Sequence, residues 1–126
     1  MYPSQLKYST EHTWFKIEGD KKGRVGITQY YQEQLKRIVF VELPEVGAVV
    51  NQNGTFGFIE SSKATSDLYS PVSGKVVEVN HLLESEPGVI NQDPYGQGWM
   101  FVVELSDTDE LDSLLSADEY LSLIKQ

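Results

Sequence analysis

Residues 57–80 read GFIESSKATSDLYSPVSGKVVEVN, and the alternation of strands and turns in this stretch decides the fold. Two strand-like segments, Phe56–Glu60 and Ala64–Tyr69, enclose the tripeptide Ser61-Ser62-Lys63. A turn containing Pro and Gly follows, and Lys75–Val79 then mixes apolar and charged residues. Short strands separated by such turns are typical of β-sandwiches and barrels, so the stretch predicts a mostly β fold with Lys63 at a hairpin tip.

Strand-like segments continue on both sides of this hairpin, again separated by turns that contain Gly, Pro or Asn-Gly. The first two of these segments predict a second hairpin, and the last one precedes the acidic C-terminal residues. In chain order the segments are Trp14–Ile17, Arg24–Ile27, Ile38–Leu43, Val49-Val50 and Trp99–Leu105. Large aromatic side chains are usually buried, so we expect Trp14, Trp99 and Phe40 in the core.

The sequence contains few helix signals. Thr28 is positioned to cap a helix that runs to Leu35, and Tyr31 shares an apolar face with Leu35. Two further N-cap patterns, Ser-x-x-Asp and Ser-x-x-Glu, predict short C-terminal helices over about 107–115 and 117–124. The serines of these patterns are Ser106 and Ser116.

No Gly/Ser-rich linker divides the chain, whose length suits one core. We therefore predict a single domain over residues 1–126. Its expected fold is a mostly β sandwich or flattened barrel with a short internal helix and short C-terminal helices.

The chain has 126 residues, a formal net charge of −9 and no cysteine. Its side chains therefore cannot form disulfides, thiolate nucleophiles or thiolate metal ligands. The acidic charge disfavours nucleic acid and anionic membranes as partners, and it favours a monomer through self-repulsion. Residues 76–126 hold 11 acidic residues and 1 basic residue, which predicts a solvated acidic face. The alternative is a docking face for a basic partner.

The sequence lacks the patterns of a membrane span, a signal peptide and a metal site. No apolar run approaches the ~20 residues of a membrane span, and Met1–Gln5 lack the basic and apolar regions of a signal peptide. We expect a cytoplasmic protein, or a mitochondrial matrix protein if the chain is a processed organellar form. The two histidines, His12 and His81, do not have metal-ligand spacing, so no metal site is predicted.

The common enzyme motifs G-x-S-x-G, G-x-x-x-x-G-K-[ST] and G-x-G-x-x-G are absent. Glu60 and Asp67 are weak evidence for a glycosidase-like carboxylate pair, because that chemistry also needs a substrate groove. A hairpin tip offers Lys63 no apolar pocket that would activate its amine for Schiff-base catalysis. A modifying enzyme that acylates this amine would instead make the chain a carrier.

Residues 57–80 resemble the lipoyl-attachment hairpin of the glycine cleavage system H-protein family. The resemblance extends over about residues 7–124 and implies a lipoyl/biotinyl-carrier-like β-sandwich with lipoate covalently attached to Lys63. The residues that surround this lysine at the hairpin tip are Glu60, Ser61, Ser62 and Ala64. Outside the hairpin, the resemblance is carried by Gly26–Thr28, Ile38–Gly47, Asn91–Trp99 and Leu111–Tyr120.

The resemblance implies a non-catalytic carrier in a multienzyme system. A pyridoxal-phosphate glycine decarboxylase (P-protein) loads an aminomethyl group onto the lipoyl arm, and a tetrahydrofolate-dependent aminomethyltransferase (T-protein) removes it. Dihydrolipoamide dehydrogenase (L-protein) then receives the electrons, and lipoylating enzymes install the arm. Because the chain has no cysteine, lipoate would supply all thiol–disulfide chemistry.

In this family the loaded arm rests in a sheltered cleft, which by position would include Glu11, Thr13 and Asp67. The family usually has His-Glu-Trp where this chain has His12-Thr13-Trp14. Glu11 would share a strand face with Thr13, because residues two apart in a strand point the same way. Our hypothesis is that Glu11 and Asp67 together supply the charge of the missing carboxylate. Ser62 is a second departure, at a position where Val is common.

Four alternatives compete with this interpretation, and the sequence argues against two of them, the biotinyl domain and the isolated lipoyl domain. An H-like protein could serve as a lipoyl donor or relay for other lipoate-dependent complexes. A biotinyl domain would need Met-Lys-Met-like flanks, whereas Lys63 stands between Ser62 and Ala64. An isolated acyltransferase lipoyl domain would lack the additional N-terminal strands and C-terminal helices. An unmodified β-rich interaction module predicts no mass change at Lys63.

Overall fold

The computed structural model describes residues 2–125 and has two antiparallel sheets. The larger sheet has six strands in the order β1-β2-β3-β9-β8-β5, and the smaller has three in the order β4-β6-β7. The strands are β1 (Lys7–Tyr8), β2 (Thr13–Ile17), β3 (Lys22–Ile27), β4 (Ile38–Glu42), β5 (Val49–Val50), β6 (Thr55–Ser61), β7 (Thr65–Tyr69), β8 (Gly74–Val79) and β9 (Phe101–Leu105). All strand segments predicted from the sequence are present, within a few residues of their predicted bounds.

The predicted N-terminal hairpin is formed by β2 and β3, which pair from Thr13 opposite Ile27 to Ile17 opposite Gly23. Gly23 makes room for the buried ring of Phe15, since a Cβ atom at this glycine would overlap that ring. Small residues in β3 therefore allow large aromatic side chains of β2 to pack flat on the sheet.

The main core lies between the sheets and contains aliphatic and aromatic side chains from nearly every strand. A smaller second cluster covers the outer end of the large sheet and includes Tyr8, Trp14 and Tyr120, all fully buried. Trp14 is thus buried as predicted, and the partly buried Trp99 packs against the same cluster. Burying an apolar side chain of this kind stabilises a fold by about 1.5–3 kcal/mol.

The prediction for Phe40 is wrong, because its side chain is 43% exposed. Strand β4 has a register shift between Ile38 and Phe40 where it pairs with β6. Val39 and Phe40 are consequently both exposed, whereas a regular strand would bury one of them. The Phe40 ring lies on the outside of the small sheet, 5.7 Å from the ring of Phe58.

The helices are α1 (Gln29–Leu35), α2 (Leu82–Ser85), α3 (Val89–Gln92) and α4 (Ala117–Ile124), with a 3-10 helix at Thr108–Ser113. Thr28 caps α1 as predicted, and Ser116 with Glu119 forms the predicted capping box of α4. The 3-10 helix is capped by Asp107 and not by Ser106, and it is shorter than predicted. Strand β1 and helices α2 and α3 were not predicted. Within residues 2–125, no helix is long and apolar enough to cross a membrane.

Candidate functional site

Lys63 lies at the tip of the hairpin formed by β6 and β7. The last regular pair of this hairpin is Glu60 with Thr65. The side chains of Ser62, Lys63 and Ala64 are exposed beyond this pair. The tip therefore presents the Lys63 amine to solvent, in the position expected from the sequence.

The Ser61 hydroxyl holds the tip in a defined shape. Its Oγ accepts hydrogen bonds from the main-chain amides of Lys63 and Ala64, both at 3.2 Å, and donates to the Ala64 carbonyl at 3.1 Å. The Ser61 amide donates to the same carbonyl at 2.8 Å. Ser favours such local bonds to the backbone, so the tip is closed by the residue that precedes it.

The tip is also fixed from outside the hairpin. The Ser62 amide donates to the Arg37 carbonyl at 2.9 Å, which joins the tip to the start of β4. This start is held by Asn91, whose Oδ1 accepts from the Ile38 amide and whose Nδ2 donates to the Lys36 carbonyl. Lys63 therefore extends from a turn that is supported on two sides.

The charged groups at the tip are not paired with one another. Within residues 2–125, the ion pairs are Arg24 with Glu18 and His81 with Glu84, and neither includes Lys63. No group of three or more metal-binding side chains occurs in the same described residues. Lys63 is therefore exposed and outside the ion pairs of the described residues.

The proposed strand face shared by Glu11 and Thr13 does not exist. Glu11 lies in the turn before β2, and His12 between them has a positive φ of 72°, which interrupts the strand alternation. Thr13 is buried, its Oγ1 lies 2.6 Å from the Ser9 hydroxyl, and it donates to the Tyr69 carbonyl at 3.3 Å. Thr13 therefore joins the two sheets, while Glu11 is exposed.

Glu11 and Asp67 nevertheless influence a common group, the half-buried phenol of Tyr31. Burial raises the pKa of Tyr31, a hydrogen bond with Ser66 lowers it, and Glu11, Tyr69 and Asp67 raise it further. Residues from three segments thus influence one phenol, and we call these residues the tyrosine cluster. Its members are Glu11, Tyr31, Ser66, Asp67 and Tyr69.

Sequence reasoning missed Tyr31 and Ser66 as members of this site. The spacing of Tyr31 and Leu35 indicated only an apolar helix face, and Tyr31 does pack partly against the main core. Ser66 lies opposite Ile59 in the hairpin and carries no motif of its own. The only available signal was its position close behind Lys63.

A separate groove of about 670 Å³ lies along β4. Its walls include Phe40, Leu43, Val46, His81 and Glu84. None of the predicted site residues lines this groove.

Comparisons with known proteins identify one family for nearly the whole chain. The family described as Glycine cleavage H-protein matches residues 6–126. A glycine cleavage system H protein of Brevibacillus brevis is 54% identical over 125 residues, which cover 99% of this chain and 98% of the relative. One of Symbiobacterium thermophilum is 57% identical over 124 residues, which cover 98% of this chain and 96% of the relative.

The fold has a counterpart of known structure. The crystal structure of a glycine cleavage system H protein from Mycobacterium marinum superimposes with a TM-score of 0.90 at 40% sequence identity. The match covers 98% of this chain and 99% of that one, and it confirms the predicted carrier-type β-sandwich. The family match and these relatives extend over nearly the whole chain, so the chain belongs to the glycine cleavage H-protein family.

Proposed function

We propose that this chain carries lipoate as an amide on Lys63 and acts as the lipoyl carrier of glycine cleavage. In this role it shuttles the aminomethyl group from the pyridoxal-phosphate glycine decarboxylase to the tetrahydrofolate-dependent aminomethyltransferase. It also passes electrons to dihydrolipoamide dehydrogenase. The observation that carries the proposal is the exposed Lys63 amine on a turn closed by the Ser61 hydroxyl.

The residues at the tip fit a lipoyl group. The amine is exposed, and within residues 2–125 it has no ion pair that acylation would break. When bound, lipoate supplies a cyclic disulfide, which a chain without cysteine cannot provide from its own side chains. Ser61 orients the Lys63 and Ala64 amides, and the Ser62 amide anchors the turn to Arg37, so the modifying enzyme meets a preformed recognition element.

The tyrosine cluster supports a resting place for the loaded arm. Glu11 and Asp67 supply negative charge beside Tyr31, which suits the cationic end of an aminomethyl group. Thr13 acts indirectly, because its hydroxyl is committed to Ser9 and to the Tyr69 carbonyl. We therefore assign Glu11 and Asp67 to charge compensation and Thr13 to positioning of β7.

Glu11→Gln tests the charge assignment. We expect the carried group to be released into water faster from Glu11→Gln than from the unaltered chain, since the carboxylate no longer holds the ammonium. Glu33→Gln, at an exposed position of α1, is the matched control. An unchanged release rate in Glu11→Gln would show that this carboxylate does not compensate for the family's usual Glu.

The proposed carrier role also has consequences for the domain organisation, the partners and the location of the chain. We propose that residues 1–126 form one lipoyl-carrier domain without catalytic activity of its own, and that it works as a monomer. Its partners are the P-, T- and L-proteins and the lipoylating enzymes. A cytoplasmic location is consistent with the bacterial origin of the relatives.

Intact mass spectrometry tests the modification itself. Chain produced in lipoate-supplied cells should gain the mass of one lipoyl group, and peptide analysis should place it on Lys63. Lys63→Arg keeps the positive charge and should abolish the gain, whereas Lys75→Arg should leave it unchanged. A bare Lys63 amine in competent cells would contradict the proposal.

A genetic test separates glycine cleavage from a general lipoyl relay. A Lys63→Arg strain should lose glycine oxidation and retain pyruvate oxidation. Loss of both activities would instead favour a relay to other complexes, a role that the relatives' names do not favour.

A further inference from the structure

Asn91 holds the short segment of chain to which the Lys63 tip is bonded. It lies in helix α3, far beyond the hairpin in the sequence. Its Nδ2 donates to the Lys36 carbonyl at 2.8 Å, and its Oδ1 accepts from the Ile38 amide at 3.0 Å. One side chain therefore bridges the two residues that flank Arg37.

The residue between these two bonds makes the contact with the tip. The Arg37 carbonyl accepts from the Ser62 amide at 2.9 Å, so residues 36–38 bond alternately to Asn91 and to the hairpin. Main-chain groups of successive strand residues point alternately to opposite edges. The alternation indicates that Asn91 holds one side of this segment and the tip binds the other.

The segment needs support because its backbone is strained. Lys36 has φ 67° and ψ −145°, a conformation that is accessible mainly to glycine. A residue with a Cβ atom keeps such a conformation only where the surrounding structure holds it there. Asn91 supplies one such contact at the Lys36 carbonyl, and the Gln32 carbonyl supplies another at the Lys36 amide.

The amide of Asn91 is itself held in one orientation. Its Nδ2 also donates to Oε1 of Gln32, at 2.9 Å, and Gln32 is buried in α1. Both amide protons and one lone pair of the oxygen are thus in use, so the group cannot turn over without losing hydrogen bonds. The side chain is a fixed clamp between α1, α3 and the start of β4.

We infer that Asn91 is a positioning residue for the modification of Lys63: it keeps the Arg37 carbonyl where the Ser62 amide can bind it, and so keeps the tip in the shape that a lipoylating enzyme meets. Within residues 2–125 its side-chain hydrogen bonds go to Gln32, Lys36 and Ile38, so it acts on the tip indirectly. The inference rests on the proposed function, because it requires an enzyme that recognises the tip.

The test uses two replacements of Asn91 and the same two replacements of Asn80. Asn91→Ala removes both bonds to residues 36–38, whereas the isosteric Asn91→Asp replaces the Nδ2 donor by an oxygen that repels the Lys36 carbonyl. Asn80 is the matched control, because its Nδ2 also donates to two main-chain carbonyls, both at 2.8 Å, and its Oδ1 accepts from a main-chain amide at 3.3 Å. None of these partners lies in residues 36–38 or at the tip.

The first readout is hydrogen exchange of the Ser62 amide, measured by NMR in the unmodified chain, which needs no lipoate. Exchange should be about tenfold faster in both Asn91 variants, because the segment that accepts the Ser62 bond loses two net hydrogen bonds. The Asn80 variants should exchange within about twofold of the unaltered chain at this amide. Urea denaturation gives the free energy of unfolding of each variant, so that a general loss of stability is recognised.

The second readout separates KM from kcat for a lipoylating enzyme acting on the unmodified chain, followed by intact mass. In the Asn91 variants KM should rise at least about twofold, because a smaller fraction of molecules has the tip in the recognised shape. The value of kcat should not change, since the Lys63 amine is unaltered. The Asn80 variants should keep the KM of the unaltered chain.

Unchanged Ser62 exchange in both Asn91→Ala and Asn91→Asp would overturn the inference. Equal acceleration by the Asn80 variants would also overturn it, as would an unchanged KM. Failure of the unaltered chain to gain a lipoyl group would instead overturn the proposed function, and the Ser62 exchange rates would still decide whether Asn91 holds the tip.

Discussion

The hydroxyl of Thr13 donates a hydrogen bond to the main-chain carbonyl of Tyr69 over 3.3 Å, and this bond joins strand β2 of the large sheet to strand β7 of the small one. Because the Thr13 proton points to Tyr69, the neighbouring Ser9 hydroxyl must be the donor in the 2.6 Å contact with Thr13 Oγ1. The turn before β2 is thereby fixed against the hairpin that carries Lys63.

Thr13→Val should weaken this connection. Val has a similar shape but leaves the buried Ser9 hydroxyl and the Tyr69 carbonyl without their shared partner, which costs about 1–3 kcal/mol. Equilibrium urea denaturation measures the free energy of unfolding. Thr55→Val, at an exposed strand position, should change it by no more than about 0.5 kcal/mol. Equal values for the two variants would show that the Thr13 bond does not stabilise the fold.

His12 should make stability depend on pH. Burial lowers its pKa below the ordinary value of 6.5, although Glu11 opposes the shift. The unfolded chain therefore binds a proton at a higher pH than the folded chain, so stability is complete above 6.5 and declines as the pH falls through that value. Three tyrosines, Tyr30, Tyr31 and Tyr120, face the ring. Burial raises the pKa of Tyr31 and of Tyr120, so these two phenols keep their protons in this range.

His12→Asn removes this titration, and Asn tolerates the positive φ at this position. The thermal midpoint of the unaltered chain should fall more between about pH 7.5 and pH 5.5 than that of His12→Asn. A pH response that survives His12→Asn would assign the effect to other groups.

Lys36 is strained, and its replacement by glycine should stabilise the chain. It ends α1 with φ 67° and ψ −145°, a conformation that is accessible mainly to glycine. Lys36→Gly should raise the free energy of unfolding by about 1 kcal/mol, measured in urea, whereas Lys36→Ala should give no gain. A glycine variant no more stable than the alanine variant would show that the strain has no energetic consequence.

Ser61→Ala should slow lipoylation without removing Lys63. The substitution deprives the Lys63 and Ala64 amides of their common acceptor, so the tip loses its fixed shape. We expect kcat/KM of a lipoylating enzyme to fall about fivefold, equivalent to one net hydrogen bond. Mass spectrometry of timed samples gives the rate.

Ser62→Ala is the control for this measurement, because within residues 2–125 the Ser62 side chain makes no hydrogen bond and its amide bond to Arg37 survives. If Ser61→Ala and Ser62→Ala are lipoylated at the same rate, the shape of the tip is not what the enzyme recognises.

The sequence predicted the elements that carry a local signal. Strands bounded by Gly and Pro were found, and so were α1 and α4, whose caps Thr28 and Ser116 make the expected side-chain bonds. Helices α2 and α3 have four residues each, and their N-cap residues, His81 and Gly88, make no side-chain cap hydrogen bond. Such single-turn helices are stabilised by packing in the surrounding fold, and the local sequence contains no signal that predicts them.

The sequence predicts a site residue only where its position in a strand or turn determines its exposure. Lys63 follows from the hairpin and the resemblance, because a tip between two strands must be exposed. The direction of the Glu11 side chain could not be predicted in this way. His12 adopts a positive φ, and the rule that alternate strand residues share a face does not anticipate it. Tyr31 was also missed, because Ser66 and Asp67, which shift its pKa, are distant from it in the sequence.

The hydrogen bond from the Ser62 amide to the Arg37 carbonyl exists only when β4 lies beside β6. An enzyme that recognises the tip in this shape will ignore nascent or misassembled polypeptide. On the proposed function, the degree of acylation in a cell should rise with the fraction of molecules that have reached their native state, so destabilised mutants should be ranked by whole-cell mass spectra.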